Sequence, residues 1–354
     1  MAPIQVLLVV GSYPPESCGV GGYVARLEAE LRNRNLTVET EHQGPWTLAA
    51  FTARLHAIRF RANKLRARIL HFQYPSVGFG RSLAAPFLAV ALRLLGFRII
   101  TTIHEASQVH PLRRLALTPF LFWSHAVVFT NAHELNYAAK FIPGLRRKAT
   151  VIPVGSTIQT GEGLKKFAAN EVLYFGLIRP EKGIEKFIAV ARRAREKNSK
   201  LKFRLVGARD PRFQSYYEGL RSDAGDSVEW TLDGSESIVA EILSCAHYAY
   251  FPFPDGASDR RTSLMAALVN QVAVLTTEGK FTAGEMSRRL RPLRVDHTND
   301  EAIERIEAEM FNENELRVRQ REAFEVSRLY GWSTICDLHI ALYFAASTAA
   351  IRRA

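Results

Sequence analysis

The stretch YFGLIRPEKG, residues 174–183, decides the fold. Its first half completes a β-rich run from Glu171 to Gly176. Its second half is a turn that displays Arg179 and Lys182, and an amphipathic helical pattern follows from about Ile184 to Lys197. Strand, turn and helix in that order make the opening unit of a parallel α/β sheet.

The alternation continues towards the C-terminus. Strands are predicted at Lys202–Val206, Ser227–Thr231, Tyr248–Phe251 and Val272–Thr276, with helices through Tyr216–Ser222, Ser237–Leu243 and Thr262–Val269. Towards the N-terminus it occurs once more. Predicted strands are Gln5–Val10, Arg68–Phe72, Arg98–Ile103, Ala126–Thr130 and Thr150–Ile152, and helices run about Val20–Arg34, Leu83–Leu95 and His133–Phe141. The stretch Val38–Glu41 is ambiguous. Two such series predict an α/β chain of two Rossmann-like, doubly wound parallel-sheet domains facing each other across a cleft. The Gly- and Thr-rich segment Ile152–Phe167, with Pro153, Gly155, Gly161 and Gly163, reads as the linker. Domains are expected at 1–158 and 159–331, and the apolar-faced helix predicted at Trp332–Ala346 is expected to carry 332–354 back onto the first.

Composition agrees with a folded two-domain protein: 354 residues, 47% apolar and 23% charged. The net charge of +12 is unevenly placed. Up to Ile158 there are 18 Lys or Arg against 7 Glu and no Asp, and the rest is close to neutral. A basic half suits an acidic partner, such as anionic lipid headgroups or a phosphorylated acceptor; the alternative is a solvated basic face. Arg59, Arg61, Lys64, Arg66 and Arg68 form one basic stretch, and Arg113 and Arg114 beside Leu115–Trp123 form another. Basic and aromatic residues are not interleaved on a recognisable reading module, which argues against nucleic acid. Cys18, Cys245 and Cys336 are too scattered for a metal site or a disulfide framework, which fits a reducing cytoplasm. The apolar run Ile4–Val10 reads as a first buried strand. The runs 83–95 and 115–129 are broken by Arg93, Pro119, Trp123 and His125, too short for a spanning helix.

Four motifs carry chemistry. In the loop after the first strand, Gly19, Gly21 and Gly22 lead into a helix whose N-terminus offers free N–H groups to an anion; a tight turn explains such glycines equally well. Thr101-Thr102-Ile103-His104-Glu105 ends a strand, where open α/β sheets bind ligands. His104 there either hydrogen-bonds a sugar hydroxyl or is a satisfied, partly buried histidine. His71, Gln73 and Tyr74 end a neighbouring strand. In the third motif, Arg179 and Lys182 at a helix entrance suit a diphosphate, the first as a planar fork and the second as a point charge. The fourth, Asp255-Gly256-Ala257-Ser258-Asp259-Arg260-Arg261-Thr262-Ser263-Leu264, turns backbone amides towards a bound phosphate or sugar, or is a helix capped by Thr262 or Ser263.

The Gly-Gly-Tyr start, the strand ending in His104, the Ile-Pro-x-Gly linker and the Gly-x-x-Arg-Pro-x-Lys-Gly loop resemble, in order and over essentially the whole chain, the retaining GT-B glycosyltransferases of family 4. That resemblance implies a nucleotide-diphosphate sugar as co-substrate, no metal and no cofactor, with the donor held mainly by the C-terminal domain. It places Gly21 and Gly22 near the donor phosphates, His104 near the 6-hydroxyl of the transferred sugar, and Lys182 on the diphosphate. Arg179 substitutes for an arginine usually found where Leu177 stands. Gly207, Asp255, Ser258, Arg260, Arg261, Thr262, Ser263 and Leu264 complete the expected donor site, and Gln73, Tyr74 and Glu105 the acceptor side. The chain departs from the family at its paired glutamates. One register puts Ser258 and Ala266 there, the other Asp255 and Ser263, and both lack the second carboxylate. The expected activity is α-retaining hexosyl transfer to a saccharide or polyprenyl-diphosphate-linked acceptor in cell-envelope or exopolysaccharide assembly. The expected setting is the cytoplasm or the inner face of an anionic membrane. The alternative is a non-catalytic GT-B-like binding subunit.

Overall fold

The computed structural model describes residues 4–16, 18–107, 111–156, 158, 170–259, 261–282 and 284–351. Arg260 and linker residues 157 and 159–167, Gly161 and Gly163 among them, lie outside these residues, as does the side chain of Arg113. The chain divides into two compact units, residues 1–155 with 332–354, and 156–331.

In unit 1 the order is β1 (Gln5–Val9), α1 (Gly19–Asn33), β2 (Thr37–Glu41), α2 (Phe51–Leu65), β3 (Ile69–Tyr74), α3 (Ala84–Leu94), β4 (Arg98–Ile103), α4 (Pro111–Trp123), β5 (Ala126–Phe129), α5 (Ala132–Ala139) and β6 (Ala149–Val151). The strands form one sheet in the order β2-β1-β3-β4-β5-β6, every pair parallel. Every residue of β3 is buried, as expected for an inner strand covered on both faces. Two apolar layers flank the sheet, one around Leu70, Phe72, Leu88 and Phe120, the other around Leu8, Val24, Leu27 and Ile100.

Unit 2 runs β7 (Glu171–Ile178), α6 (Ile184–Glu196), β8 (Lys202–Arg209), α7 (Gln214–Ala224), β9 (Glu229–Leu232), α8 (Glu236–Cys245), β10 (Tyr248–Phe251), α9 (Thr262–Val269), β11 (Ala273–Glu278), α10 (Gly284–Leu290), β12 (Leu293–Arg294), α11 (Asn299–Met310) and α12 (Glu313–Leu329). Its sheet, also parallel, has the order β12-β11-β10-β7-β8-β9. In α6 the buried Ile184, Phe187, Ile188, Ala191 and Ala194 keep a helical period, while Arg193 faces out and bonds Asp300.

The last helix, α13 (Trp332–Ile351), belongs to unit 1. Ile335, His339, Tyr343 and Ala346 recur every three or four residues and, with Cys336, are buried against α1 and the sheet. At Gly155 an added Cβ would lie 2.8 Å from the Trp332 ring, so the chain passes this indole at van der Waals range.

Several parts differ from the sequence reading, among them α4, which the sequence reading did not assign. The ambiguous Val38–Glu41 is strand β2 at the sheet edge. The basic stretch from Arg59 belongs largely to α2, and part of its charge is internal: Arg61 bonds Glu39 and Glu41, and the buried Arg54 bonds Glu41 at 2.6 Å. Unit 2 also carries α10, α11 and α12, where the sequence reading assigned no element. A Thr298–Glu301 capping box fixes the start of α11.

Candidate functional site

In the sheet of unit 2, β7 is followed by β8 and β9 on one side and by β10, β11 and β12 on the other. The winding therefore reverses between β7 and β10, and open α/β sheets bind ligands beyond the strand ends at such a point. The loop after β7 carries Arg179 and Lys182. The loop after β10 carries residues 252–261. Two motifs distant in sequence thus meet at one crevice.

Glycines set the geometry there. Gly183 caps α6 with φ +79°, and a Cβ on it would lie 2.0 Å from the Pro252 carbonyl oxygen. The two loops therefore touch backbone to backbone, and no side chain fits between them. Gly176 and Gly207 are partners in the β7–β8 register, and a Cβ on Gly207 would meet the Gly176 oxygen at 2.8 Å. The Ser263 side chain stands 3.7 Å from the position a Gly176 Cβ would take. Tyr174 Oη donates to the Lys182 carbonyl at 3.0 Å, pinning the cationic turn to the core. Arg179 and Lys182 are both partly buried.

The loop after β10 is built around an ion pair. Arg261 bonds Asp255 and lies 4.4 Å over the Phe253 ring. Helix α9 begins at Thr262, and its capping residue is Arg261 with no side-chain cap, so neither Thr262 nor Ser263 caps it. That leaves the amides of the first turn to other partners. Ser258 is 6% exposed, and Leu264 and Ala266 are fully buried. Of the two glutamate registers, Asp255 and Ser263 are the pair that reaches accessible positions; a carboxylate at 266 would lie in the apolar core. Asp259 accepts from Tyr330 Oη at 2.6 Å, and burial pushes its carboxyl up. Sequence reasoning missed this contact, because Tyr330 lies 71 residues away.

In unit 1 the sheet reverses between β1 and β3. The loops beyond these strands are stitched together: Gly11 N–H donates to Ser76 Oγ at 2.8 Å and Gly78 N–H to Ser12 Oγ at 2.7 Å. The two expected phosphate glycines differ. A Cβ on Gly21 would meet the Ser12 carbonyl at 2.7 Å, so its smallness serves internal packing, whereas Gly22 faces open space.

His104 ends β4 beside this junction. Its imidazole is held by a buried polar chain running to α13. His104 Nε2 lies 2.9 Å from Gln73 Oε1, Gln73 Nε2 lies 3.1 Å from His71 Nε2, and His71 Nδ1 lies 2.8 Å from Tyr343 Oη. A carboxamide nitrogen only donates, so His71 Nε2 accepts and its proton sits on Nδ1. A carboxamide oxygen only accepts, so the His104 proton sits on Nε2 and Nδ1 keeps a lone pair for a hydroxyl. Burial holds both rings neutral, pushing His104 down to about 4. Gln73 is fully buried, and Tyr74 packs against Phe79 and Phe120. Glu105 is partly exposed. Glu134, fully buried, accepts from the Ala106 and Ser107 amides at 2.8 Å each and shapes the turn after His104. Sequence reading missed it, although Asn131, three residues earlier, carries the helix-start pattern that caps it.

No family model and no curated protein matches this chain. Solved structures do. A sucrose-phosphate synthase from Thermosynechococcus elongatus is 18% identical with a TM-score of 0.73 over 98% of this chain and all of its own. A glycosyltransferase from Rickettsia africae gives 0.72 at 11% identity over 98% and 99%. Anabaena HepE in complex with UDP and glucose gives 0.68 at 12% identity over 97% and 100%. The fold is GT-B. Agreement along the whole length at such low identity is a likeness of fold.

Proposed function

We propose that this GT-B chain is a glycosyltransferase that moves a hexose, with retention, from a nucleotide-diphosphate sugar to a hydroxyl of a saccharide or polyprenyl-diphosphate-linked acceptor. One observation carries this reading: the loop that carries Arg179 and Lys182 meets the loop leading into α9 at the reversal point of the unit 2 sheet. The neighbouring structures strengthen it, since HepE is solved with UDP and with UDP-glucose.

In the proposed reaction the bond from the anomeric carbon to the diphosphate oxygen breaks. The acceptor oxygen bonds that carbon from the same face, and its proton passes to the departing phosphate. Lys182, Arg179 and the free amides of α9 stabilise the charge that develops on the leaving group. The Nδ1 lone pair of His104 accepts a sugar hydroxyl. Metal-independent chemistry belongs to the same proposal, as does a role in cell-envelope or exopolysaccharide assembly at the cytoplasmic face of an anionic membrane, which the basic unit 1 suits. Among the described residues no helix is long and apolar enough to cross a membrane, so attachment is peripheral in this reading.

A second reading, a non-catalytic binding subunit, is favoured by the Arg261–Asp255 ion pair, which neutralises the one carboxylate at the glutamate positions. A thermal-shift panel of UDP, GDP, ADP, TDP and their sugar conjugates separates the two. One base should raise the melting temperature of the wild type, and Lys182→Ala should abolish the shift and lower transfer roughly 100-fold. The anomeric configuration of the product, read by NMR, tests retention. A folded protein that no nucleotide stabilises refutes the transferase reading.

A further inference from the structure

The N-terminal edge of the unit 1 sheet, opposite the end that carries His104, holds a cavity of about 420 Å³. Arg98, His125, Arg147 and Lys148 line it, with Leu342, Ala345 and Ala346 of α13 forming its apolar wall. The six residues of β4 separate Arg98 from the His104 end by roughly 20 Å, at about 3.3 Å per residue. This is therefore a separate place on the molecule.

Its charge is uncompensated. Among the described residues no carboxylate pairs with Arg98, Arg147 or Lys148, whereas in unit 2 arginines such as 193, 204, 209, 212 and 289 each hold one. Lys148 is fixed in place, donating to the Phe122 carbonyl at 2.8 Å and the Ser124 carbonyl at 3.0 Å. His125 Nδ1 accepts from the Ile99 amide at 3.1 Å, which puts its proton on Nε2. Burial, and then Arg93, Arg98 and Lys148, push His125 down to about 4.

Beside the lip, apolar side chains face water. Phe122 and Trp123 end α4 at 53% and 42% exposure, and Leu94 and Leu95 follow Arg93 at the end of α3. Arg93 Nη1 donates to the Trp123 carbonyl at 2.6 Å, so the two helix ends form one surface. Exposed aromatic and leucine side chains on one flank of a positive, carboxylate-free cavity suit the boundary between headgroups and acyl chains.

We propose that this pocket seats the phosphate of an anionic bilayer lipid while Phe122, Trp123, Leu94 and Leu95 enter the interface. The inference rests on the peripheral membrane attachment proposed above and assigns the surface that makes it. The test is co-sedimentation of the full chain with vesicles of 70:30 phosphatidylcholine and phosphatidylglycerol. Each basic side chain near an anionic leaflet changes partitioning about fivefold. Arg98→Gln with Arg147→Gln should therefore weaken binding about 30-fold, leaving the Lys148 contacts intact. Phe122→Ser with Trp123→Ser should weaken it about tenfold, including at high salt. Arg59→Gln with Lys64→Gln and Arg66→Gln removes more charge from exposed positions of unit 1 and should weaken it far less. Circular dichroism and melting temperature check that each variant is folded. An α2 variant as damaging as the pocket variant, or a pocket variant that binds like wild type, overturns the pocket assignment and leaves membrane attachment standing. No wild-type binding to anionic vesicles overturns both. Displacement from vesicles by millimolar pyrophosphate at matched ionic strength would make this a site for soluble phosphates and overturn the lipid assignment.

Discussion

Acidification should unfold unit 1 through the histidines that tie α13 to its sheet. His339 Nε2 lies 3.0 Å from Tyr23 Oη, and His71 bonds Tyr343; both histidines are fully buried. Burial, and then the neighbouring imidazoles, hold His71 well below the ordinary histidine range and push His339 down to about 3. In the unfolded chain each returns to about 6.5. A folded pKa below the unfolded one means the unfolded state binds more protons, so stability is complete above about pH 7 and is lost as pH falls through 6.5 towards the folded values. At pH 5 each group withdraws about 2 kcal/mol relative to pH 7, or about 4 kcal/mol for the two. His104 is partly exposed, and solvent screening reduces its share. Against a typical total of 5–15 kcal/mol, a loss of about 4 is large. Urea unfolding at pH 7, 6 and 5 measures it. A Trp230→Phe background confines tryptophan emission to Trp46, Trp123 and Trp332, all in unit 1. His339→Gln keeps an acceptor for Tyr23 and removes one titrating group, so its loss between pH 7 and 5 should fall to about 2 kcal/mol. If the variant and its parent lose stability equally, buried neutral histidines are not the cause of the acid sensitivity.

Arg319→Ala should cost unit 2 about 3–5 kcal/mol. The guanidinium is 1% exposed and bonds Glu309 together with the carbonyls of Val274, Arg289 and Leu290, so truncation strands several buried groups at once; a urea midpoint within error of wild type would contradict this. Gln73→Leu should release the His104 tautomer. In ¹⁵N-histidine spectra the wild-type ring carries its proton on Nε2 and the variant shows a mixture, whereas a wild-type ring protonated on Nδ1 would refute the relay from Tyr343.

The sequence by itself determined the two βα series and most of their strands. The signal there is local: apolar runs of strand length followed by helical periodicity, as in Tyr174–Gly183 and again at Tyr248–Val269. It also exposed Arg179, Lys182 and His104, because each ends a strand where the chain turns. Elements whose local signal was masked by charge were not legible. Strand β2 carries two glutamates and α2 several cations, and only in the folded unit do Glu39 and Glu41 meet Arg54 and Arg61.

Tertiary structure alone decided the rest, because the partners lie far apart in the chain. The reversal between β7 and β10 brings residues 179–183 to residues 252–261. The Gln73–His71–Tyr343 chain that sets the His104 proton spans 272 residues in its last link alone. The pocket of Arg98, Arg147 and Lys148 exists because parallel strands start at a common edge and α13 returns to cover it. Periodicity within a segment reports which face is buried; it carries no information about which distant side chain meets that face, and both proposed binding sites are made of such meetings.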